Sequence, residues 1–152
     1  MELRVDKLKK KARVVLQDGE ELSGFFFVSP ISPCRRGPEL ISDLLMGEAS
    51  FLPFELESAE VVFLQKDFIR MVLLMEPEIE DDLPYLKRES VEVCLLSGGI
   101  IRGEVLVDLP ETRSRLSDFF SRCNGFFYLL VDGHQRLVNA RSVKLVRPAQ
   151  AS

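Results

Sequence analysis

The chain has 152 residues, of which 46% are hydrophobic and 29% are charged, and its formal net charge at pH 7 is −4. This balance is typical of a soluble globular protein and excludes a disordered polar chain. The negative charge also argues against nucleic-acid binding over the whole surface, because phosphate neutralisation needs a basic face.

No targeting or membrane-spanning segment is evident. Residues 1–6 lack the apolar core of a signal peptide, and no stretch approaches the roughly 18 uninterrupted apolar residues of a membrane span. We therefore expect a cytoplasmic protein that has no membrane partner. Three cysteines form an odd number without a C-x-x-C pair, which predicts reduced, structural thiols in place of a disulfide framework or a zinc site. They are Cys34, Cys94 and Cys123.

Two strands joined by a tight turn are the first elements predicted along the chain. Residues 12–17 form an apolar, partly β-branched run that ends in Asp18-Gly19, a hairpin signal. The second strand contains Gly24, and a glycine inside a strand usually marks a bend, a bulge or a close backbone approach. A loop crowded with turn formers follows at residues 29–38.

A short helix and further strands complete the first half. Residues 39–46 carry apolar side chains at helix-like spacing, and residues 51–56 and 68–72 return to strand character. The segment at residues 76–84 is acidic and contains two prolines, which is the composition of an exposed linker. We therefore place a first unit at residues 1–76, a linker at residues 77–88 and a second unit at residues 89–148.

The second half repeats the signals of the first, which predicts a tandem duplication of one β-rich unit. Five identities share an offset of 79 residues, and Ser42-Asp43 and Phe51 recur at an offset of 75. Each unit is therefore predicted to contain two strands, a short helix and three further strands. The five matched pairs are Val14 and Val93, Leu16 and Leu95, Gly19 and Gly98, Gly24 and Gly103, and Val28 and Val107.

Residues 14–25, which read Val-Val-Leu-Gln-Asp-Gly-Glu-Glu-Leu-Ser-Gly-Phe, resemble the first motif of Sm-like proteins, and residues 93–104 are similar. The resemblance implies a strongly bent five-stranded barrel that associates through edge strands into rings, and many members of the family bind RNA. The family's Asp and Asn after the second strand have no match here apart from Asp108, so the RNA site is not implied. The family's helix precedes the barrel, whereas the helices predicted here lie inside each unit.

The predicted fold is mainly β, with two tandem small bent β-barrels, Sm-like or SH3-like, each with a short inserted helix. Small barrels of several families share this pattern of apolar residues and glycines, so both alternatives stay open. Four glycines are predicted to have structural roles at turns and bends. They are Gly19, Gly24, Gly98 and Gly103.

The residues that could carry chemistry do not form a catalytic group. His134 is the only histidine and follows a hairpin turn, so no second histidine exists to complete a triad with the serine of Ser42-Asp43 or Ser117-Asp118. Capping of the short helices explains both Ser-Asp pairs better. The acidic run at residues 78–82 lacks the glycine of a calcium loop. We predict no enzyme activity, no cofactor and no metal.

Basic residues provide the remaining functional signal. Residues 1–86 carry a net charge of −7 and residues 87–152 one of +3, so an anion fits the second half better. Arginine suits bidentate contacts with phosphate or carboxylate, and an ordinary solvated surface is the competing interpretation. The candidate contacts for an anion or RNA are Arg113, Arg115, Arg122, Arg141 and Lys144.

These observations predict a non-catalytic binding or assembly module built of two tandem Sm-like barrels. Its partners are expected to be protein chains, either copies of itself or other proteins, which join through edge strands. The alternative is an RNA- or anion-binding protein that uses the basic second unit.

Overall fold

The structure, a computed structural model, describes residues 7–32, 36–108 and 115–149. In these ranges it contains ten strands and two short α-helices, which confirms that the protein is mainly β. None of the described helices has the length and apolar character needed to cross a membrane. The chain divides after Val72 into two compact units, four residues before the boundary expected from the sequence.

The first unit is an antiparallel sheet with one helix inserted between its second and third strands. Its strands are hydrogen-bonded in the order β5-β1-β2-β3-β4, and a 3-10 helix separates the last two along the chain. The elements are β1 (Leu8–Leu16), β2 (Glu21–Val28), α1 (Ile41–Met46), β3 (Phe51–Leu56), β4 (Val61–Gln65), the 3-10 helix (Lys66–Phe68) and β5 (Ile69–Leu74).

The second unit has the same succession of elements. Its strands are hydrogen-bonded in the order β10-β6-β7-β8-β9, again with a 3-10 helix between the last two along the chain. The elements are β6 (Leu86–Leu95), β7 (Ile100–Asp108), α2 (Arg115–Ser121), β8 (Phe126–Val131), β9 (His134–Asn139), the 3-10 helix (Ala140–Ser142) and β10 (Val143–Pro148).

Each unit begins with a hairpin closed by the same three-residue turn. Between β1 and β2, the amide of Leu16 donates to the Glu20 carbonyl at 2.8 Å, and Gly19 has a φ of +93°. Between β6 and β7, the amide of Leu95 donates to the Gly99 carbonyl at 2.8 Å, and Gly98 has a φ of +102°. Only glycine adopts such a φ without strain, which explains the glycine at this place in both hairpins.

Alternating apolar residues form the core of each unit. In the first unit Phe26 on β2 and Phe54 on β3 are fully buried, and their rings meet edge to face with centroids 4.9 Å apart. In the second unit the corresponding strands bury Val105 and Leu129 completely. The period of two that places these side chains inward is the pattern of an antiparallel sheet with one covered face.

Two further glycines allow neighbouring backbones to approach closely. A Cβ atom added to Gly24 would overlap the backbone carbonyl oxygen of Glu55, and one added to Gly103 would lie 2.6 Å from the carbonyl oxygen of Leu130. The ladder between β2 and β3 is short, because it runs only from the Gly24–Leu56 pair to the Phe26–Phe54 pair. Glycine is therefore required where the second and third strands of each unit pass each other.

The segment expected to be an exposed linker is partly structured. β6 begins at Leu86, inside the expected linker at residues 77–88, because Leu86, Lys87 and Arg88 pair with residues 106–108 of β7. The charged side chains of Lys87 and Arg88 are exposed, so a polar sequence is compatible with a strand here. Composition identified the segment as polar, and the ladder with β7 decides where the strand begins.

Candidate functional site

The β4 strand exposes apolar side chains at the edge of the first unit's sheet. Among the described residues its only strand neighbour is β3. Leu64 points into the core, whereas Val61 and Phe63 point outward, and Phe63 is 68% exposed. On β3, Pro53 pairs with Phe63 and is also exposed. We call Val61, Phe63, Phe51 and Pro53 the β4 edge.

Exposed carboxylates border the β4 edge. Glu60 directly precedes β4 and Asp67 lies in the 3-10 helix that follows it, and both side chains are exposed. Glu55 on β3 is neutralised by Lys9, whose Nζ lies 2.9 Å from its Oε1 atom. Glu57 is more weakly paired, with Lys11 at 3.9 Å. The β4 edge is thus apolar, with exposed Glu60 before it and exposed Asp67 after Lys66 beyond its end.

The β10 strand forms a second edge of opposite charge. Its only strand neighbour in the described part of the chain is β6, and the register with β6 shifts between Val143 and Leu145. Lys144 is the extra residue at this irregularity and is exposed, as are Leu145 and Arg147. Arg141, in the 3-10 helix just before β10, is exposed too. We call Arg141, Lys144, Leu145 and Arg147 the β10 edge.

The five basic residues proposed from the sequence are not all brought together. Arg141 and Lys144 lie on the β10 edge, while Arg122 is exposed directly after α2. Arg115 is the first residue of α2, and Arg113 lies outside the described residues. The structure therefore supports one basic surface built around Arg141 and Lys144.

An apolar hairpin tip in the second unit was not predicted from the sequence. Leu96 and Ile100 stand on either side of the β6–β7 turn and are 65% and 57% exposed. The amide of Leu96 donates to the Ser142 carbonyl at 2.8 Å, which places the tip beside the residue that follows Arg141. Leu96 continues the apolar run of residues 91–95, so the local pattern indicates a strand residue and not an exposed tip. The first hairpin has polar residues at the corresponding positions, and this difference between the two repeats is the sequence signal that indicates an exposed apolar tip.

The residues considered for catalysis have structural surroundings. His134 is exposed at the start of β9. In α1, the carboxylate of Asp43 accepts a hydrogen bond from the amide of Leu40 at 2.8 Å and so satisfies a free group at the helix start. Ser117 and Asp118 are exposed in α2. Residues 7–32, 36–108 and 115–149 contain no cluster of three His, Cys, Asp or Glu side chains suited to a metal ion.

The two described cysteines are free thiols, and Nη1 of Arg147 lies 4.0 Å from the Sγ atom of Cys94. Cys94 is buried in β6. Cys123 is half-buried, and burial raises the pKa of its thiol, which keeps it protonated near neutral pH. Cys34 lies outside the described residues.

The backbone around Glu78 and Ile79 is held by side chains of β8 and β9. The Oε1 atom of buried Gln135 accepts hydrogen bonds from the amides of Glu78 and Ile79 at 2.7 and 3.2 Å. The Nε2 atom of Gln135 donates to the Ile79 carbonyl at 2.7 Å. The Tyr128 hydroxyl donates to the Glu78 carboxylate at 2.9 Å. This part of the expected linker is therefore packed on the second unit.

We predict that Gln135→Ala releases this segment. The change leaves two amides and one carbonyl without their partner, which costs roughly 2 kcal/mol locally. The fraction of molecules in which the segment around Glu78 is detached from the second unit should then rise about thirtyfold. A glutamate-specific protease should then cleave after Glu78 or Glu80 at a correspondingly higher rate. Gln65→Ala, at an exposed glutamine of β4, is the control. Equal cleavage rates in the two variants would contradict the prediction.

Comparison of the chain with protein-family models, with curated proteins and with solved structures finds no match. Three surfaces of the described residues remain as candidate binding sites, which are the β4 edge, the β10 edge and the apolar hairpin tip.

Proposed function

We propose that the protein is a non-catalytic assembly module of two tandem Sm-like or SH3-like barrels, which associates with further copies of itself through edge strands. The common succession of strands and helices in the two units supports the tandem duplication. In both units the strand order places the fifth strand beside the first, with a 3-10 helix before it, as a small bent barrel requires. The close backbone approaches at Gly24 and Gly103 support bent strands.

The exposed apolar surface of the β4 edge is the observation that carries the proposal. An edge strand with unpaired backbone groups and exposed apolar side chains is a template for pairing with another chain. Soluble proteins usually protect such an edge with charges or a covering segment. Here Val61 begins the strand and Phe63 lies at its centre, and both are exposed, while Glu60 precedes the strand and Asp67 follows it in the 3-10 helix.

The β10 edge of a second copy is the proposed partner of the β4 edge. Lys144 and Arg147 on β10 complement Glu60 and Asp67, which border β4. Leu145 supplies an apolar side chain to meet Phe63. Two different edges would be joined, so each copy keeps one edge available for the next. Such a head-to-tail contact closes into a ring or continues as a filament.

Light scattering coupled to size-exclusion chromatography tests the assembly. We expect a mass that is a multiple of the 17.3 kDa protomer and that falls as ionic strength rises. Phe63→Lys places a cation against a basic edge and removes the largest apolar contact, so it should weaken association by about 3 kcal/mol, or roughly a hundredfold. Met46→Lys, at an exposed apolar residue of α1, is the matched control. A wild-type protein that stays monomeric at high concentration would refute the proposal.

A further inference from the structure

The turn between β6 and β7 presents two aliphatic side chains to solvent. The amide of Gly98 donates to the Leu95 carbonyl at 2.9 Å, which closes a tight turn between Leu96 and Ile100. Both side chains are more than half exposed, so they contribute little to the core of the second unit. The two side chains are therefore available for contact with another apolar surface, where they would lose their exposure to water.

The first unit shows that this turn does not need apolar residues. Its β1–β2 turn has the same hydrogen bond, from the Gly19 amide to the Leu16 carbonyl at 2.9 Å. At the positions that correspond to Leu96 and Ile100, however, it has Gln17 and Glu21. The same backbone therefore forms with polar side chains, and the apolar pair must be explained by something other than the turn.

Cations lie next to the apolar tip of the second unit. The bond from the Leu96 amide to the Ser142 carbonyl places exposed Arg141 beside the tip, and Lys144 protrudes where β10 loses register with β6. Glu92, on the β6–β7 ladder below the tip, is neutralised by Arg102, whose Nε lies 2.9 Å from the Glu92 carboxylate. The surroundings of the tip are therefore basic.

We propose that this tip binds the surface of an anionic phospholipid bilayer, with Leu96 and Ile100 entering between the headgroups and Arg141 and Lys144 contacting their phosphates. A protruding aliphatic pair bordered by cations fits a bilayer, where apolar chains and negative charges lie at adjacent depths. RNA would use the cations and leave the aliphatic pair in water. A contact with the bilayer surface needs no membrane-spanning segment, so it is compatible with the absence of a spanning helix in the described residues.

The chain contains no tryptophan, so a single introduced tryptophan reports on the tip alone. With vesicles of phosphatidylcholine and phosphatidylglycerol, Leu96→Trp should shift its emission to shorter wavelength and be quenched by brominated acyl chains. Gln17→Trp, at the corresponding position of the first unit, should do neither. Vesicles of phosphatidylcholine alone should give a much smaller shift, because they lack the negative charge. An unchanged Leu96→Trp emission with anionic vesicles would overturn the proposal.

Flotation with the same vesicles, using chains without an introduced tryptophan, separates the contribution of the aliphatic pair from that of the two cations. L96S/I100S and R141Q/K144Q should each lower the partition coefficient at least tenfold, whereas I31S/M46S, at two exposed apolar residues of the first unit, should not. A polyuridine oligonucleotide is titrated in parallel. The bilayer proposal fails if wild type does not float with the vesicles but binds the oligonucleotide. In that case RNA affinity should fall in R141Q/K144Q and stay unchanged in L96S/I100S, which would identify the surface as an RNA site. Assembly would engage Lys144 with another copy, so Phe63→Ala, which weakens assembly without adding a charge, should float at least as well as wild type; a loss of flotation in this variant would show that vesicle binding requires the assembly and not the tip.

Discussion

Phe54→Ala is expected to lower the free energy of unfolding of the first unit by about 4 kcal/mol. Phe54 is fully buried, and its ring packs edge to face against Phe26 at 4.9 Å. Truncation removes the transfer free energy of the ring and leaves a cavity that the strands on either side cannot close. Urea unfolding followed by circular dichroism measures the loss.

Phe63→Ala is the matched control for this prediction, because Phe63 lies on the adjacent strand and is mostly exposed. We expect its free energy of unfolding to change by less than about 1 kcal/mol. The same variant should weaken self-association, because Phe63 lies at the centre of the β4 edge. A loss of stability as large as that of Phe54→Ala would mean that Phe63 belongs to the core, and it would remove the main support for the assembly proposal.

Gly24→Ala is expected to destabilise the first unit by about 3 kcal/mol. The added methyl group would overlap the backbone carbonyl of Glu55 and approach the ring of Phe54 to 2.9 Å. A flexible side chain could rotate away, but a backbone carbonyl in a ladder moves only if β2 and β3 separate. The measurement is again urea unfolding.

Gly99→Ala controls for the loss of a glycine. A methyl group there meets only the Leu95 Cδ1 atom at 3.8 Å, which is an ordinary van der Waals contact. We expect a change within about 0.5 kcal/mol. If Gly24→Ala were as well tolerated as Gly99→Ala, the result would contradict the close approach of β2 and β3 and the bent strands inferred from it.

Local sequence patterns predict most of the elements of both units, although they give no range for β4 (Val61–Gln65). Apolar runs with β-branched residues predict the strands, the glycines at 19 and 98 predict the turns, and Leu40, Ile41, Leu44 and Leu45 predict α1 at nearly its observed position. These features depend on residues that are close along the chain, since side-chain periodicity and backbone φ preferences act locally. The mainly β fold with two inserted helices was therefore accessible without a structure.

The exposure of individual apolar residues, in contrast, follows from the packing of the folded chain. Val61–Leu64 is apolar on both faces, so alternation could not tell that Leu64 is buried and Phe63 exposed. At the position corresponding to Phe63, the second unit has Leu137, which is 1% exposed. Similarly, Leu96 extends an apolar run but lies outside the core, and Glu78 belongs to a polar segment but is held by Gln135. Exposure depends on which distant segments pack against a residue, and no local pattern contains that information.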